Sequence, residues 1–261
     1  MQRRTALAFA TSLTVVGVPL VVAQVFNIND AINKAGAQRM LSQRMSKAYL
    51  SLGMDVATQK AQEVISESMA RFDRQLVELS AYAPRPEIKA TYAEMEAVWA
   101  RYKAVLVGQA PHRDRVVELI ELDSKVLQLA NQGTTQLEQA SGKPLGRIVN
   151  LSGRQRMLSQ RAAKYFLAQA WKAPVPQADA ELSKARAEFM AALNTLEQAP
   201  EATPAIRQEL DLARKQWVFF DLALAYQGNL PRAVENVFLS SENVLSVMER
   251  VTTMYARQQV A

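Results

Sequence analysis

One segment of the chain occurs twice: INKAGAQRMLSQRMSKAYL from Ile32 to Leu50, and VNLSGRQRMLSQRAAKYFL from Val149 to Leu167. Val149 follows Ile32 by 117 residues, and in that register the run QRMLSQR is identical in both copies. The rest of the repeat agrees in pattern but hardly in identity, so a recent duplication that has not diverged is the weaker explanation. The stronger one is a chemical role retained in both copies.

The composition favours an all-helical protein. Of the 261 residues 49% are hydrophobic and only 9 are glycine, and long stretches are rich in Ala, Leu, Glu, Gln, Arg and Lys. These side chains lose little rotamer freedom in a helix. Turn residues recur with the repeat: Gly108 and Pro111 in the first half correspond to Gly228 and Pro231 in the second. We therefore predict two tandem antiparallel four-helix bundles, as domains 27–141 and 144–258.

Proline, glycine and hydrophobic spacing set the expected helices. They are 29–52, 57–81, 86–108, 111–140, 145–172, 178–198, 204–226 and 231–257. The expected core positions of the third and fourth helices are Ile88, Tyr92, Met95, Val98, Trp99, Tyr102, Leu106, Val116, Val117, Leu119, Ile120, Val126, Leu127 and Leu137. The aromatic and methionine residues are interpreted as core rather than as a cofactor site.

Residues 1–23 are interpreted as a targeting segment outside the fold. They have a basic start, and the following apolar stretch Ala6–Ala23 has 18 residues, at the lower limit for a membrane-spanning helix. The end of this stretch fits a signal peptidase site. We expect cleavage after Ala23 in preference to a retained inner-membrane anchor, and hence a periplasmic protein.

Several function classes lack the residues they need. The chain has no cysteine and a single histidine, His112, which lies beside a proline at an expected helix start and is assigned a solvated or capping role. We therefore expect no catalytic residues, no metal site and no cofactor. The net charge of +6 includes two arginines of the N-terminal segment, and no basic run with interleaved aromatics indicates nucleic acid.

The repeated segment presents an unusual polar stripe when it is placed on a helix. Gly36 and Arg39 share one face, as do Gly153 and Arg156 in the second copy. Glycine inside a helix costs about 1 kcal/mol relative to alanine, which is tolerable where a ligand or another backbone comes close. Arginine suits planar oxyanions. Weaker candidates on the same stripes are Asn33, Gln43, Asn150 and Gln160.

Arg44 and Arg161 lie on a different face of the helix from Arg39 and Arg156, and are expected to pair with acidic residues on a neighbouring helix.

The stretch DAINKAGAQRMLSQR, from Asp30 to Arg44, resembles the P-box helix of the nitrate/nitrite sensor NarX and the PilJ-type N-terminal domain of type IV pili chemotaxis transducers. That resemblance implies an extracytoplasmic four-helix bundle whose anion is held between two first helices by the arginine three residues after the glycine. Carried over, those residues are Gly36, Arg39, Gly153 and Arg156. Receptors of this kind continue into a second membrane span and a signalling region, whereas this sequence stops at Ala261.

Two functions are consistent with the sequence. One is an exported sensor-like protein that binds a small inorganic oxyanion of the nitrate/nitrite class and works with a separate receptor, transporter or respiratory enzyme. The other is a ligand-free helical module that docks a membrane receptor or envelope partner. The arginines Arg39 and Arg156 either converge within one chain, as a pseudo-dimer, or each pairs in a homodimer.

Overall fold

Eight α-helices form the described part of the chain. The structure, a computed structural model, describes residues 24–226 and 228–258, so the segment 1–23 and its expected cleavage site lie outside it. The described ranges contain no β-strand, and the predicted all-α class is confirmed. The helices are α1 (Ile28–Gly53), α2 (Thr58–Tyr82), α3 (Pro86–Gly108), α4 (Val116–Ser141), α5 (Pro144–Ala170), α6 (Ala178–Gln198), α7 (Pro204–Ala225) and α8 (Leu230–Ala256).

Helix ends follow local capping chemistry. The side chain of Asn27 accepts a hydrogen bond from the backbone N–H of Asp30 at the start of α1, and Asn229 does the same for Arg232 at the start of α8. Prolines occupy the first turns of α3, α5, α7 and α8, where a missing N–H is harmless. The predicted bounds are therefore close to the observed ones for every helix except α4.

The predicted start of α4 at Pro111 is wrong. The helix begins at Val116, after a short 3₁₀ turn at Arg113–Arg115. His112 is extended and accepts a hydrogen bond at Nδ1 from the N–H of Asp114, at 3.4 Å, so this turn has its own cap. The side chain of His112 is 68% exposed, which confirms its solvated, capping role.

The helices form two four-membered rings that share a boundary. In the first ring α1 packs on α2 and α4, and α3 packs on α4 and α2; in the second α5 packs on α6 and α8, and α7 packs on α8 and α6. The rings meet mainly where α1 packs along α5. The two copies of the repeated segment therefore lie at the centre of the molecule.

The hydrophobic core continues from one ring into the other. Each ring has a stacked aromatic pair at equivalent positions, Phe72 with Trp99 at 4.2 Å between centroids and Phe189 with Trp217 at 3.7 Å. Most of the predicted core positions are buried, although Val98 and Leu127 are only partly buried. The prediction for Val117 is wrong: it lies on the outer face of α4 and is 40% exposed.

Candidate functional site

The repeated helices α1 and α5 run parallel and touch at their glycines. A methyl carbon placed on Gly36 would lie 3.9 Å from the Cα of Gly153. Toward the start of the helices Gly146 lies against Ile32, and toward their ends Gly53 lies against Trp171. The matched order of these contacts shows that the helices run in the same direction, with equivalent residues near each other.

The guanidinium groups of Arg39 and Arg156 share the space above these glycines. A methyl carbon on Gly36 would be 3.3 Å from Nη2 of Arg39 and 3.2 Å from Nη2 of Arg156, and one on Gly153 would be 3.7 Å and 3.1 Å from the same atoms. Side chains on a helix lean toward its N-terminus, so each arginine reaches back over the preceding turn. The four leading candidates of the sequence therefore come together in one chain.

Arg39 is buried and contacts only neutral oxygen atoms. It is 1% exposed. Its Nη1 donates to Oδ1 of Asn131 on α4 at 3.0 Å, and its Nη2 donates to Oδ1 of Asn150 on α5 at 2.7 Å and to the Asn150 carbonyl at 3.3 Å. Asn150 is held in place because its amide nitrogen donates to the carboxylate of Glu138. The buried Nε of Arg39 has no partner in the described residues.

Arg156 is equally buried but has a carboxylate partner. Its Nη1 donates to Oε2 of Glu249 on α8 at 2.7 Å, and its Nη2 donates to the carbonyl of Asn33 on α1 at 3.0 Å. Oε1 of the same Glu249 accepts from Arg71 on α2, also at 2.7 Å. The Nε of Arg156, like that of Arg39, is buried without a partner in the part of the chain that is described.

The electrostatics of the two arginines differ accordingly. Burial, together with the nearby positive charges of Arg154 and Arg156, lowers the pKa of Arg39 to about 9, which still leaves it charged at neutral pH. Burial also lowers the pKa of Arg156, but Glu249 opposes the shift. Arg156 and Arg71 hold the pKa of Glu249 at about 2 against the effect of its own burial, so this carboxylate is ionised at neutral pH.

The weaker candidates divide into two groups. Asn150 accepts a hydrogen bond from Arg39 through its side chain, and Asn33 accepts one from Arg156 through its backbone carbonyl. The buried Oδ1 of Asn33 has no partner among the described residues. Gln43 and Gln160 lie away from them: Gln43 donates to Asp123 on α4 at 2.6 Å, and Gln160 donates to the carbonyl of Ser241 on α8 at 2.9 Å. These two glutamines hold helices together.

The prediction that Arg44 and Arg161 form ion pairs is confirmed. Arg44 binds Glu242 on α8 at 2.5 Å, and Arg161 binds Glu181 on α6. The neighbouring repeated lysine, Lys47, also reaches Glu242, at 2.7 Å. The second half of the repeated segment therefore contributes structure rather than the candidate site.

Three residues of the site carried no signal in the sequence: Asn131, Glu138 and Glu249. They come from α4 and α8, which diverge between the two halves. Asn131 and Glu249 occupy corresponding positions of these two helices, but an amide in one and a carboxylate in the other leave no repeated pattern to detect. Within the described residues, no group of three His, Asp or Glu side chains is placed to hold a metal ion.

The fold is a helical module with two buried arginines at its centre. The family model described as PilJ, Type IV pili methyl-accepting chemotaxis transducer N-term, matches residues 20–135 and again 137–228. Because these matches cover well over half of the sequence, the chain belongs to the PilJ family.

One curated relative and the solved structures complete the comparison. The methyl-accepting chemotaxis protein McpN of Pseudomonas aeruginosa is 36% identical over 85 residues, which are 30% of this chain and 15% of that protein. The chain thus matches a small part of that relative's length. No solved structure matches it. None of the helices in the described ranges is long and apolar enough to cross a membrane.

Proposed function

We propose that this protein binds a small inorganic oxyanion of the nitrate/nitrite class between α1 and α5. The observation that carries the proposal is Arg39, a fully buried cation whose contacts in the described residues are all neutral. An uncompensated buried charge is costly to a fold, and a bound anion would remove that cost. The resemblance of the repeated segment to the NarX P-box supports an anion of this class.

The site has the donors that such an anion needs. A guanidinium group has five N–H groups, and Arg39 uses only part of them, with Nε left over. Each hydrogen bond to a charged group contributes roughly 1.5 to 3 kcal/mol. Because association costs at least about 4 kcal/mol, four such bonds leave about 2 to 8 kcal/mol, which corresponds to dissociation constants from about 1 μM to tens of millimolar.

Two residues that contact the arginines also border solvent or a cavity. Asn131, which holds Arg39, is itself exposed. Asn33, whose carbonyl holds Arg156, also lines a cavity of about 860 Å³ at the end of the molecule where α1 begins and α8 ends. We expect an anion to approach the arginines past one of these two residues.

Calorimetric titration with nitrate, nitrite, chloride and sulfate tests the proposal on the full-length protein. We expect nitrate or nitrite to bind, and Arg39→Gln to weaken that binding at least tenfold. Arg161→Gln is the matched control, since Arg161 belongs to the same repeated segment but pairs with Glu181. Absence of heat and of any thermal shift with all four anions would reject the proposal.

The proposed location is the periplasm. It rests on the basic start and apolar stretch of residues 1–23 and on membership of a family of chemotaxis transducer domains. N-terminal sequencing of the protein recovered from a periplasmic fraction checks it, with Gln24 as the expected first residue. Recovery only from the cytoplasm would contradict it.

A further inference from the structure

The two arginines of the site occupy the same position of the repeat but have different partners. Nη1 of Arg156 donates to the carboxylate of Glu249, whereas Nη1 of Arg39 donates to the neutral amide oxygen of Asn131. Both side chains are buried, so neither charge is screened by water. One of the two charges is therefore balanced within the chain and the other is not.

Glu249 is held firmly in this role. It bridges Arg156 on α5 and Arg71 on α2, with both distances 2.7 Å. In the first half the corresponding residue of α4 is Asn131, since the buried positions of α4 recur in α8 118 residues later, as Thr134 and Thr252 do. Asn131 is neutral, so Arg39 faces an amide where Arg156 faces a carboxylate.

The remaining charges near the site do not change this balance. Arg154, whose charge acts on Arg39, is paired with Glu188 on α6 at 2.7 Å. The charge of Glu138 raises the pKa of Arg39, but Glu138 does not contact the guanidinium group, because its carboxylate accepts a hydrogen bond from the amide nitrogen of Asn150. Arg39 is thus the member of the group without a direct carboxylate partner among the described residues.

We infer that Glu249 takes the place of a second anion on Arg156, so that the site accepts a single monovalent oxyanion, held by Arg39 with the amides of Asn131 and Asn150. This inference rests on the proposed function and deepens it. Glu249 then sets both the affinity and the charge selectivity of the site. Asn131 is the ligand residue that α4 supplies, because an amide can turn from accepting the arginine N–H to donating to an anion.

Two substitutions exchange the roles of the arginines. Glu249→Gln removes the internal carboxylate and frees Arg156, so nitrate is expected to bind at least tenfold more tightly, and sulfate is expected to gain more than nitrate.

Asn131→Asp places a carboxylate on Arg39 with a side chain of nearly unchanged shape, and because Asn131 is exposed the fold should tolerate it. We expect this variant to lose at least tenfold in nitrate affinity.

Two control variants separate charge from structure. Glu242→Gln removes another ion-paired carboxylate of α8, which binds Arg44 and Lys47 and does not contact the site. Arg71→Gln breaks the other half of the Glu249 bridge while leaving Arg156 paired. Neither is expected to raise nitrate affinity more than about threefold. Calorimetric titration of the full-length protein with sodium nitrate and sodium sulfate, after thermal unfolding has shown each variant to be folded, provides the measurement.

The outcomes distinguish this inference from the proposed function. If the wild type binds nitrate but Glu249→Gln binds it no more tightly, or if Arg71→Gln gains as much, the inference is overturned and anion binding stands. If only Glu249→Gln binds, Glu249 blocks the site in the wild type, which overturns the proposed function and, with it, the inference that Arg39 holds a single anion. If no variant binds either anion, both fail.

Discussion

Identical residues in a repeat need not have identical roles, as Arg39 and Arg156 show. Their sequence surroundings are almost the same, and both are fully buried. The difference comes from the facing helices, where Asn131 meets one arginine and Glu249 meets the other. The energetic effect of removing each arginine is therefore expected to differ.

Arg156→Gln is expected to destabilise the protein by about 2 kcal/mol more than Arg39→Gln. The first substitution breaks a buried ion pair and leaves Glu249 with Arg71 alone, whereas the second removes a buried charge that has only neutral partners. Urea-induced unfolding at pH 7 without added nitrate measures both. Equal losses would show that the ion pair with Glu249 does not stabilise the fold.

Gly36→Ala is expected to lower nitrate affinity at least tenfold. The added methyl group would lie 3.3 Å from Nη2 of Arg39 and 3.2 Å from Nη2 of Arg156, so both guanidinium groups must move. Gly108→Ala is the control, because nothing lies within 4 Å of a methyl group there. Unchanged nitrate affinity in Gly36→Ala, measured by titration, would mean that the anion does not bind above this glycine.

Part of this site could be predicted from the sequence. The repeated glycines and arginines stood out because they were conserved between the halves when most other residues were not. Asn131 and Glu249 could not be found in this way, because their helices diverged and the contact depends on how α4 and α8 lie against α1 and α5. Gln43 and Gln160 were predicted on the same helix stripes as the arginines. In the structure, however, their side chains donate hydrogen bonds to the packed helices α4 and α8 instead of facing the arginines.

Among the helices, α8 connects the two halves most directly. Its Glu242 binds Arg44 and Lys47 of α1, and its Glu249 binds Arg71 of α2 and Arg156 of α5. These contacts hold the pKa of both glutamates at about 2, well below the ordinary value of 4.5. The bounds of α8 followed from its capping sequence, whereas its partners depend on tertiary packing and could not be predicted.

Stability is expected to fall as the pH drops from about 4.5 toward 2. A carboxylate whose pKa is lower in the folded state contributes stability above its unfolded pKa, and this contribution is lost as the pH falls through its folded pKa. For Glu242 and Glu249 the loss is on the order of 2 kcal/mol each, discounted for partial exposure. Urea unfolding at pH 7, 4.5 and 3 measures it.

Two variants check the origin of this acid sensitivity. Glu242→Gln is expected to be less stable at pH 7 and to lose less stability on acidification, because its share of the effect is gone. Glu209→Gln breaks an exposed pair with Arg250 and is expected to change stability by less than about 0.5 kcal/mol. If Glu242→Gln keeps the full acid sensitivity, the effect arises elsewhere.

At the scale of the whole molecule, the two rings are joined by polar contacts that cross between them. Lys47 of α1 binds Glu242 of α8, and the equivalent Lys164 of α5 binds Asp123 of α4. Each lysine is buried, and each reaches a helix of the other ring. Together with the continuous core, these contacts couple the rings energetically.

We therefore expect the protein to unfold in one cooperative thermal transition. Two independent domains would unfold in two transitions. Coupled rings unfold in one, for which the van't Hoff enthalpy equals the calorimetric enthalpy. That enthalpy is expected to be about 0.7 kcal/mol per residue near 60 °C. Differential scanning calorimetry makes the comparison. Two separate transitions, each with about half of the total enthalpy, would show that the contact between α1 and α5 is weak.

The asymmetry at the centre of the molecule has a consequence for how such a site can evolve. Two identical subunits related by a twofold axis must place the same residue on both sides of their interface. Every substitution there acts twice, so charges are added or removed in pairs. Once both halves belong to one polypeptide, Glu249 can face one arginine while Asn131 faces the other. Covalent linkage thus frees the two sides to diverge and permits an odd charge at the interface, which a symmetric dimer cannot have.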